Sequence, residues 1–180
     1  YSENQIYFTS FLTGILGLGP AAVVSSIVTD MDYFRGSFGG KHVIPLWKDK
    51  NCFEPNITLG LLDKLKNVTG INISPEDLLC YCYAIMASPE YVNKFSEELL
   101  EIGPRIPIAK DKSIFKKGID LGRKLIWLHT FGERFVPDGE LKGTIRPGKA
   151  KCSKAVSSKP ENYPNVYSYD ETKKTIHIGD

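Results

Sequence analysis

Long apolar runs are missing from this chain, although 42% of its residues are hydrophobic. A membrane-spanning helix needs about 18 consecutive apolar residues, and the sequence has no such stretch. The N-terminus also lacks the charged segment, apolar core and small-residue cleavage site of a secretory signal. These absences predict a cytoplasmic protein with no membrane partner, and the hydrophobic share is enough for a packed core.

Phosphate-binding and nucleophile motifs are missing as well. Arg35 and His42 occupy positions at which a Walker loop needs Gly and then Ser or Thr. Ser37 is one residue short of a nucleophile elbow, which needs a residue on each side of the serine between its glycines. We therefore expect neither catalytic nor cofactor-binding residues in this chain.

Cysteine and histidine are scarce, with four Cys and three His in the sequence. Cys80 and Cys82 are two residues apart in a helical pattern, so their side chains point to different sides and cannot pair with each other. Reduced thiols and the absence of a metal site are the resulting predictions. His129 follows Leu125 and Leu128 at helical spacing, which favours a hydrogen-bonded structural histidine over a catalytic base.

The most distinctive stretch is a glycine-rich loop at residues 35–41, which leads into an apolar segment ending at Trp47. Its glycines predict a tight turn, and Arg35 and Lys41 bring positive charge to the start of a strand. Two interpretations stay open, a strained hairpin connection or a loop that approaches phosphate. The neighbouring aromatic residues favour burial under a sheet over stacking on bases; they are Tyr33, Phe34 and Phe38.

Side-chain periodicity predicts strands first and helices afterwards. The strand predictions are residues 5–12, 21–29 and 42–47, and a hairpin at residues 166–178. Four helices are predicted between them, a short one from about Leu59 that stops at Gly70, one capped by Ser74, one from Ser88 to Ile102, and one from Asp111 to about Thr130. For the last, the expected inner face is Ile114, Leu121, Leu125 and Leu128.

Positive charge is unevenly distributed, although the net charge is only +2. Residues 141–160 contain six cations and no Asp or Glu, so the rest of the chain is net negative. The six are Lys142, Arg146, Lys149, Lys151, Lys154 and Lys159. Clustering of this kind is typical of a surface that follows phosphates.

Many short motifs, in order over about residues 5–130, resemble the C-terminal specificity region of type ISP restriction-modification enzymes. They are Gly19-Pro20-Ala21, residues 34–47, Asn56-Ile57-Thr58, Glu76-Asp77-Leu78, Tyr81-Cys82-Tyr83-Ala84, Ser88-Pro89-Glu90-Tyr91, Pro104-Arg105-Ile106-Pro107, Leu121-Gly122-Arg123-Lys124-Leu125 and Leu128-His129. The resemblance implies a target recognition domain that reads an asymmetric DNA site. It also implies a parent polypeptide with nuclease, helicase-like and adenine methyltransferase domains, which use ATP with Mg²⁺ and S-adenosylmethionine.

The methyltransferase tetrapeptide, the S-adenosylmethionine loop and the helicase motifs of that family do not occur in these residues, and the chain starts at Tyr1 rather than Met. We therefore expect an excised recognition domain without catalytic, cofactor or metal residues of its own. Its partners would be double-stranded DNA and the methyltransferase and helicase-like domains of the parent chain.

The sequence as a whole predicts one α+β domain over residues 1–180. Strands dominate residues 1–55, helices residues 56–130, and a basic loop and hairpin residues 131–180. The alternative is a structural docking domain of the same enzyme without direct DNA readout. In the preferred interpretation the domain presents a target adenine to a catalytic domain elsewhere. Its DNA contacts would come from Arg35, Lys41, Lys142, Arg146, Lys149 and Lys151.

Overall fold

The computed structural model describes residues 2–11, 16, 21–30, 33–34, 41–145, 151–152, 155, 157 and 159–179. The chain divides into two compact units, Tyr1–Ile145 and Arg146–Asp180. In the described residues the first unit contains a three-stranded antiparallel sheet and four helices, and the second contains an antiparallel hairpin. The predicted α+β class is therefore confirmed, whereas a single recognition domain over residues 1–180 stays a prediction.

The sheet of the first unit has the order β2-β1-β3. Strand β1 (Tyr7–Phe11) pairs on one side with β2 (Val23–Ser25) and on the other with β3 (Lys41–Pro45). Strand β2 is shorter than the predicted strand at residues 21–29. The Ser25 side chain accepts the Ile27 amide at 3.1 Å, which turns the backbone away from the β1 ladder after Ser25.

Helices α1, α2 and α4 begin and end at or near the residues that local signals predict. Helix α1 (Leu61–Thr69) ends at Gly70, whose φ of 65° is left-handed. Helix α2 (Pro75–Met86) begins with a capping box, in which Ser74 accepts the Asp77 amide and Asp77 accepts the Ser74 amide. Helices α3 (Pro89–Lys94) and α4 (Lys112–His129) follow, and Asp111 caps α4 through the amides of residues 113 and 114.

The predicted inner face of α4 is wrong at three of its four residues. Ile114, Leu121 and Leu128 are 60%, 54% and 36% exposed, whereas Leu125 is partly buried and packs against the core. The face that packs on the core is rotated from them and consists of Phe115, Ile119, Gly122 and Ile126. Helix α4 therefore carries two apolar rows. One row is buried in the core of the first unit, and the other is largely exposed.

The third predicted helix is shorter than its apolar spacing indicated. Helix α3 ends at Lys94, and a separate 3₁₀ turn follows at Glu98–Leu100. Val92 and Leu99 are buried, but Ile102, the last residue of the predicted helix, lies beyond the 3₁₀ turn and is 69% exposed. The prediction of one helix from Ser88 to Ile102 is therefore wrong at its C-terminal end.

Helices α2 and α4 approach each other closely at Gly122. A Cβ atom on Gly122 would lie 1.9 Å from the carbonyl oxygen of Cys80, so only glycine fits at this crossing. One residue further, Arg123 forms a 2.7 Å ion pair with Asp77 of α2. Burial alone would raise the pKa of Asp77, but the hydrogen bonds from Arg123 and Ser74 and the charge of Arg123 lower it below its ordinary value.

The second unit contains the predicted C-terminal hairpin, formed by β4 (Tyr167–Asp170) and β5 (Thr175–Ile178). Tyr167 lies opposite Ile178 and Tyr169 opposite Ile176, so these four side chains share one face of the hairpin. Each of them is more than half exposed.

Candidate nucleic-acid interface

Both ends of the glycine loop are held at the same residue of the core. Phe34, just before the loop, is 2% exposed and packs against Phe11 with 5.4 Å between ring centroids. Lys41, its last residue, is the backbone partner of Phe11 in the β1–β3 ladder. Burial of Phe34 confirms the favoured prediction for that residue, whereas Tyr33 is 50% exposed. Phe38 lies outside the described residues.

The residues predicted to contact DNA are only partly described. Arg35, Arg146 and Lys149 lie outside the described residues, and for Lys41 the structure describes the backbone alone. Lys142 and Lys151 are exposed, the former in the first unit and the latter in the second. Their role as DNA contacts stays a prediction.

Lys142 forms one surface ion pair. Its ammonium group lies 3.3 Å from a carboxylate oxygen of Glu3, and the two side chains are 42% and 88% exposed. A pair this exposed contributes little stability, because water and salt screen both charges. Lys142 can therefore exchange Glu3 for a phosphate at small cost.

A cleft that the sequence did not predict lies where the segment after β2 meets the end of α4. We call it the Tyr33 cleft, and its volume is about 370 Å³. This volume is within the range of small-molecule sites in proteins. Its lining combines exposed apolar and aromatic side chains with hydroxyl, carboxyl and imidazole groups. The lining residues are Ser25, Ser26, Ile27, Val28, Thr29, Asp30, Tyr33, His129, Thr130 and Phe131.

His129 enters the cleft wall from the last turn of α4, held by a buried tyrosine. The Tyr83 hydroxyl lies 2.5 Å from His129 Nδ1, and the two rings meet edge to face. Burial raises the pKa of Tyr83, so its hydroxyl stays protonated at neutral pH. When Tyr83 donates to Nδ1, the neutral imidazole carries its proton on Nε2 and presents a donor there. The prediction of a hydrogen-bonded His129 is confirmed.

Arg134 holds the other wall of the cleft, which is the segment after β2. Its guanidinium donates to the carbonyl oxygens of Gln5 at 2.8 Å, Ser26 at 2.9 Å and Glu133 at 3.0 Å. The residue is only 7% exposed, and burial lowers the pKa of Arg134 below its ordinary value. An arginine remains charged after such a shift. It therefore ties the segment after β2, which forms one wall of the Tyr33 cleft, to the start of β1.

Phe131 lies at the rim of the cleft in an unusual backbone conformation. Its φ is 53°, in the left-handed region that non-glycine residues seldom adopt, and its ring is 75% exposed. The amide of Gly132 donates to the Trp127 carbonyl at 2.8 Å, which closes the end of α4 beyond Phe131. The turn thus holds a large aromatic ring in solvent beside the cleft.

A second cavity, of about 240 Å³, lies between the sheet and α2. Its lining is largely apolar, with Phe8, Ile44, Leu46, Leu78 and Met86 among the side chains, and includes the amide of Asn56. This groove can accept hydrophobic groups. Its lining also includes the Cys82 thiol, and burial raises the pKa of Cys82 to about 12, so the thiol stays protonated at neutral pH.

Three further features concern the described part of the chain. No group of three or more His, Cys, Asp or Glu residues there is placed to hold a metal ion. Cys52, Cys80 and Cys82 are free thiols. Within the described ranges, none of the helices combines the length and the apolar character that crossing a bilayer requires.

Comparison with solved structures shows the same fold in a larger protein. The cryoEM structure of a DrdV–DNA complex matches the chain with a TM-score of 0.57 and 24% sequence identity. The match covers 71% of this chain but 12% of the DrdV chain, so the chain spans a small part of that protein's length. No curated protein sequence matches the chain significantly.

The family comparison covers the whole chain. Residues 1–180 match the family described as the type ISP C-terminal specificity domain, and the chain belongs to this family. Two of the motifs on which the sequence resemblance rests have a physical role in the structure. Asp77 of the motif at residues 76–78 forms the ion pair with Arg123 of the motif at residues 121–125, beside the close approach at Gly122.

Proposed function

We propose that this chain recognises duplex DNA for a restriction-modification enzyme and presents a target adenine to a methyltransferase domain elsewhere in the polypeptide. Its membership of the type ISP specificity family over residues 1–180 is the observation that carries the proposal. The structural likeness to DrdV, which was solved in complex with DNA, supports it. S-adenosylmethionine, ATP and Mg²⁺ would serve the other domains of the parent enzyme.

Phosphate contacts in this proposal come from exposed cations outside the helices. Lys142 and Lys151 are exposed, and the segment that joins them lacks acidic side chains. Together with Arg35, Lys41, Arg146 and Lys149 they would neutralise backbone phosphates and release counterions. Such contacts set the position of the domain on the duplex but do not distinguish one base sequence from another.

The Tyr33 cleft supplies groups of the kind that read or stack on bases. Tyr33 and Phe131 are exposed aromatic rings, and base–aromatic stacking contributes about 1–3 kcal/mol per base. His129 offers an imidazole oriented by Tyr83, and Thr29 offers a hydroxyl. We assign the cleft to contact with base edges or with an unstacked base, while the cations hold the backbone.

Charge reversal tests the phosphate contacts. In the full-length polypeptide, Lys142→Glu combined with Lys151→Glu should weaken duplex DNA binding by about a hundredfold, because each lost phosphate contact costs roughly tenfold. Fluorescence anisotropy with a labelled duplex measures this. The matched control is Lys64→Glu with Lys94→Glu, two exposed lysines on α1 and α3, and it should change affinity less than about threefold.

The same pair of variants separates recognition from docking. Unchanged DNA affinity in a folded Lys142→Glu, Lys151→Glu protein would contradict the assigned phosphate contacts. Loss of assembly with the parent domains, with DNA affinity retained, would instead favour the structural docking domain.

A further inference from the structure

Helix α4 exposes a regular apolar row on the side away from its own core. Ile114, Leu121 and Leu128 are spaced by seven residues, which places them above one another two helical turns apart. They are 60%, 54% and 36% exposed, while the opposite face buries Phe115, Ile119 and Ile126. We call Ile114, Leu121 and Leu128 the outer row.

A helix that packs on one core needs only one apolar stripe, and its solvent side is normally polar. The outer row adds a second stripe that extends over about 21 Å, at about 1.5 Å per residue. A coiled-coil heptad has two apolar positions, of which the outer row supplies one, and Lys117 and Lys124 stand three residues further on. The outer row therefore offers a narrow apolar strip, edged by lysines, for contact with a second helix.

Charges beside the outer row indicate the chemistry of that helix. Lys117 and Lys124 follow Ile114 and Leu121 by three residues each, so they lie along the same exposed side. Asp120 is the acidic residue on this side of α4. The excess of lysines is complementary to a partner with acidic residues beside its apolar stripe.

The family description and the DrdV match indicate which molecule supplies the partner helix. The chain is a C-terminal specificity domain by family, and the matched fold accounts for 12% of the DrdV chain. Such a domain has neighbouring domains in one polypeptide, and interfaces between them resemble modest protein–protein interfaces. DNA is the less suitable occupant, because phosphates make no use of a row of three aliphatic side chains.

We infer that the outer row is the docking surface for an amphipathic helix of the same polypeptide, outside residues 1–180, whose Asp or Glu side chains face Lys117 and Lys124. This surface shares no residue with the proposed DNA contacts, although Leu128 directly precedes His129 of the Tyr33 cleft. It would hold the specificity domain in a fixed orientation to its neighbours whether or not DNA is bound.

Thiol reactivity in the full-length polypeptide tests this inference. Leu121→Cys places a thiol at the centre of the outer row, and Asn93→Cys places one at an exposed position of α3. Labelling by a maleimide is measured at each site by mass spectrometry, without DNA. The Leu121→Cys site is expected to react at least about tenfold more slowly than the Asn93→Cys site in the folded protein, with equal rates in denaturant.

A second pair of variants tests the charges. Adding Lys117→Glu and Lys124→Glu should restore fast labelling of the Leu121→Cys site, whereas Lys64→Glu and Lys66→Glu on α1 should leave it protected. Fast labelling of the Leu121→Cys site in the otherwise unchanged protein would overturn the inference. Protection that appears only when duplex DNA is added would also overturn it and would assign the outer row to DNA. Because DNA binding is measured separately, this result does not depend on the proposed function.

Discussion

Replacing Gly122 with alanine is expected to destabilise the first unit by about 3 kcal/mol or more. The added Cβ would lie 1.9 Å from the Cys80 carbonyl oxygen and 2.4 Å from its carbonyl carbon. Both are backbone atoms of α2, so no side-chain rotation can relieve the overlap. Alanine favours the helix over glycine by about 1 kcal/mol, which is too little to offset separation of the two helices.

Moving α2 and α4 apart would also weaken the ion pair between Arg123 and Asp77. Its 2.7 Å distance depends on the spacing of α2 and α4 next to Gly122. Urea denaturation of Gly122→Ala, followed by circular dichroism, measures the loss. Gly139→Ala is the control, since its Cβ meets nothing within 4 Å and only the left-handed φ of 79° opposes it, at about 1 kcal/mol. Equal losses for the two variants would contradict the close approach of the helices.

Replacing Arg134 with methionine is expected to cost about 3 kcal/mol of folding free energy. Methionine fills a similar volume but donates no hydrogen bond, so the carbonyl oxygens of Gln5, Ser26 and Glu133 lose their donor in a buried site. The segment after β2, which lines the Tyr33 cleft, would no longer be connected through Arg134 to the residue at the start of β1. We therefore expect weaker DNA binding together with lower stability.

The matched control for this change is Arg105→Met. The Arg105 side chain is 83% exposed and forms only a 3.4 Å ion pair with Glu101, so its loss should stay within about 0.5 kcal/mol. Thermal and urea unfolding of both variants give the comparison. A stability loss at Arg134 no larger than that at Arg105 would show that its one buried and two partly buried hydrogen bonds contribute nothing measurable.

Capping signals predicted the starts of α2 and α4 and the end of α1, because caps act within a few residues, whereas the ends of β2 and α3 were not predicted. Ser74 and Asp77 form the capping box that the Ser-Pro-Glu-Asp pattern indicates, and Asp111 caps α4. Gly70 ends α1 in the left-handed conformation that glycine permits. None of these features depends on which part of the chain packs beside them.

The orientation of α4 could not be obtained from hydrophobic spacing alone, since both of its apolar rows have helical periodicity. The sequence did contain a usable signal in Gly122, because an interior helical glycine costs stability and so marks a close approach. Taking the face of Gly122 as the inner one would have selected Phe115, Ile119 and Ile126, which are the residues that are buried.

The Tyr33 cleft could not be predicted, because its walls are far apart in the sequence. Residues 25–30 and 129–131 come together only through the tertiary packing that Arg134 and Tyr83 stabilise. No short motif marks either segment. The family resemblance pointed to DNA recognition without indicating which surface of the domain would carry it.

Salt dependence of DNA binding tests the central claim most directly. The folded chain is titrated onto a labelled duplex at about 50 and 200 mM monovalent salt, and the two affinities are compared. With the six proposed phosphate contacts, roughly a thousandfold loss of affinity is expected between these concentrations. Absence of binding at the lower concentration, or an affinity that does not change with salt, would contradict DNA recognition by this chain.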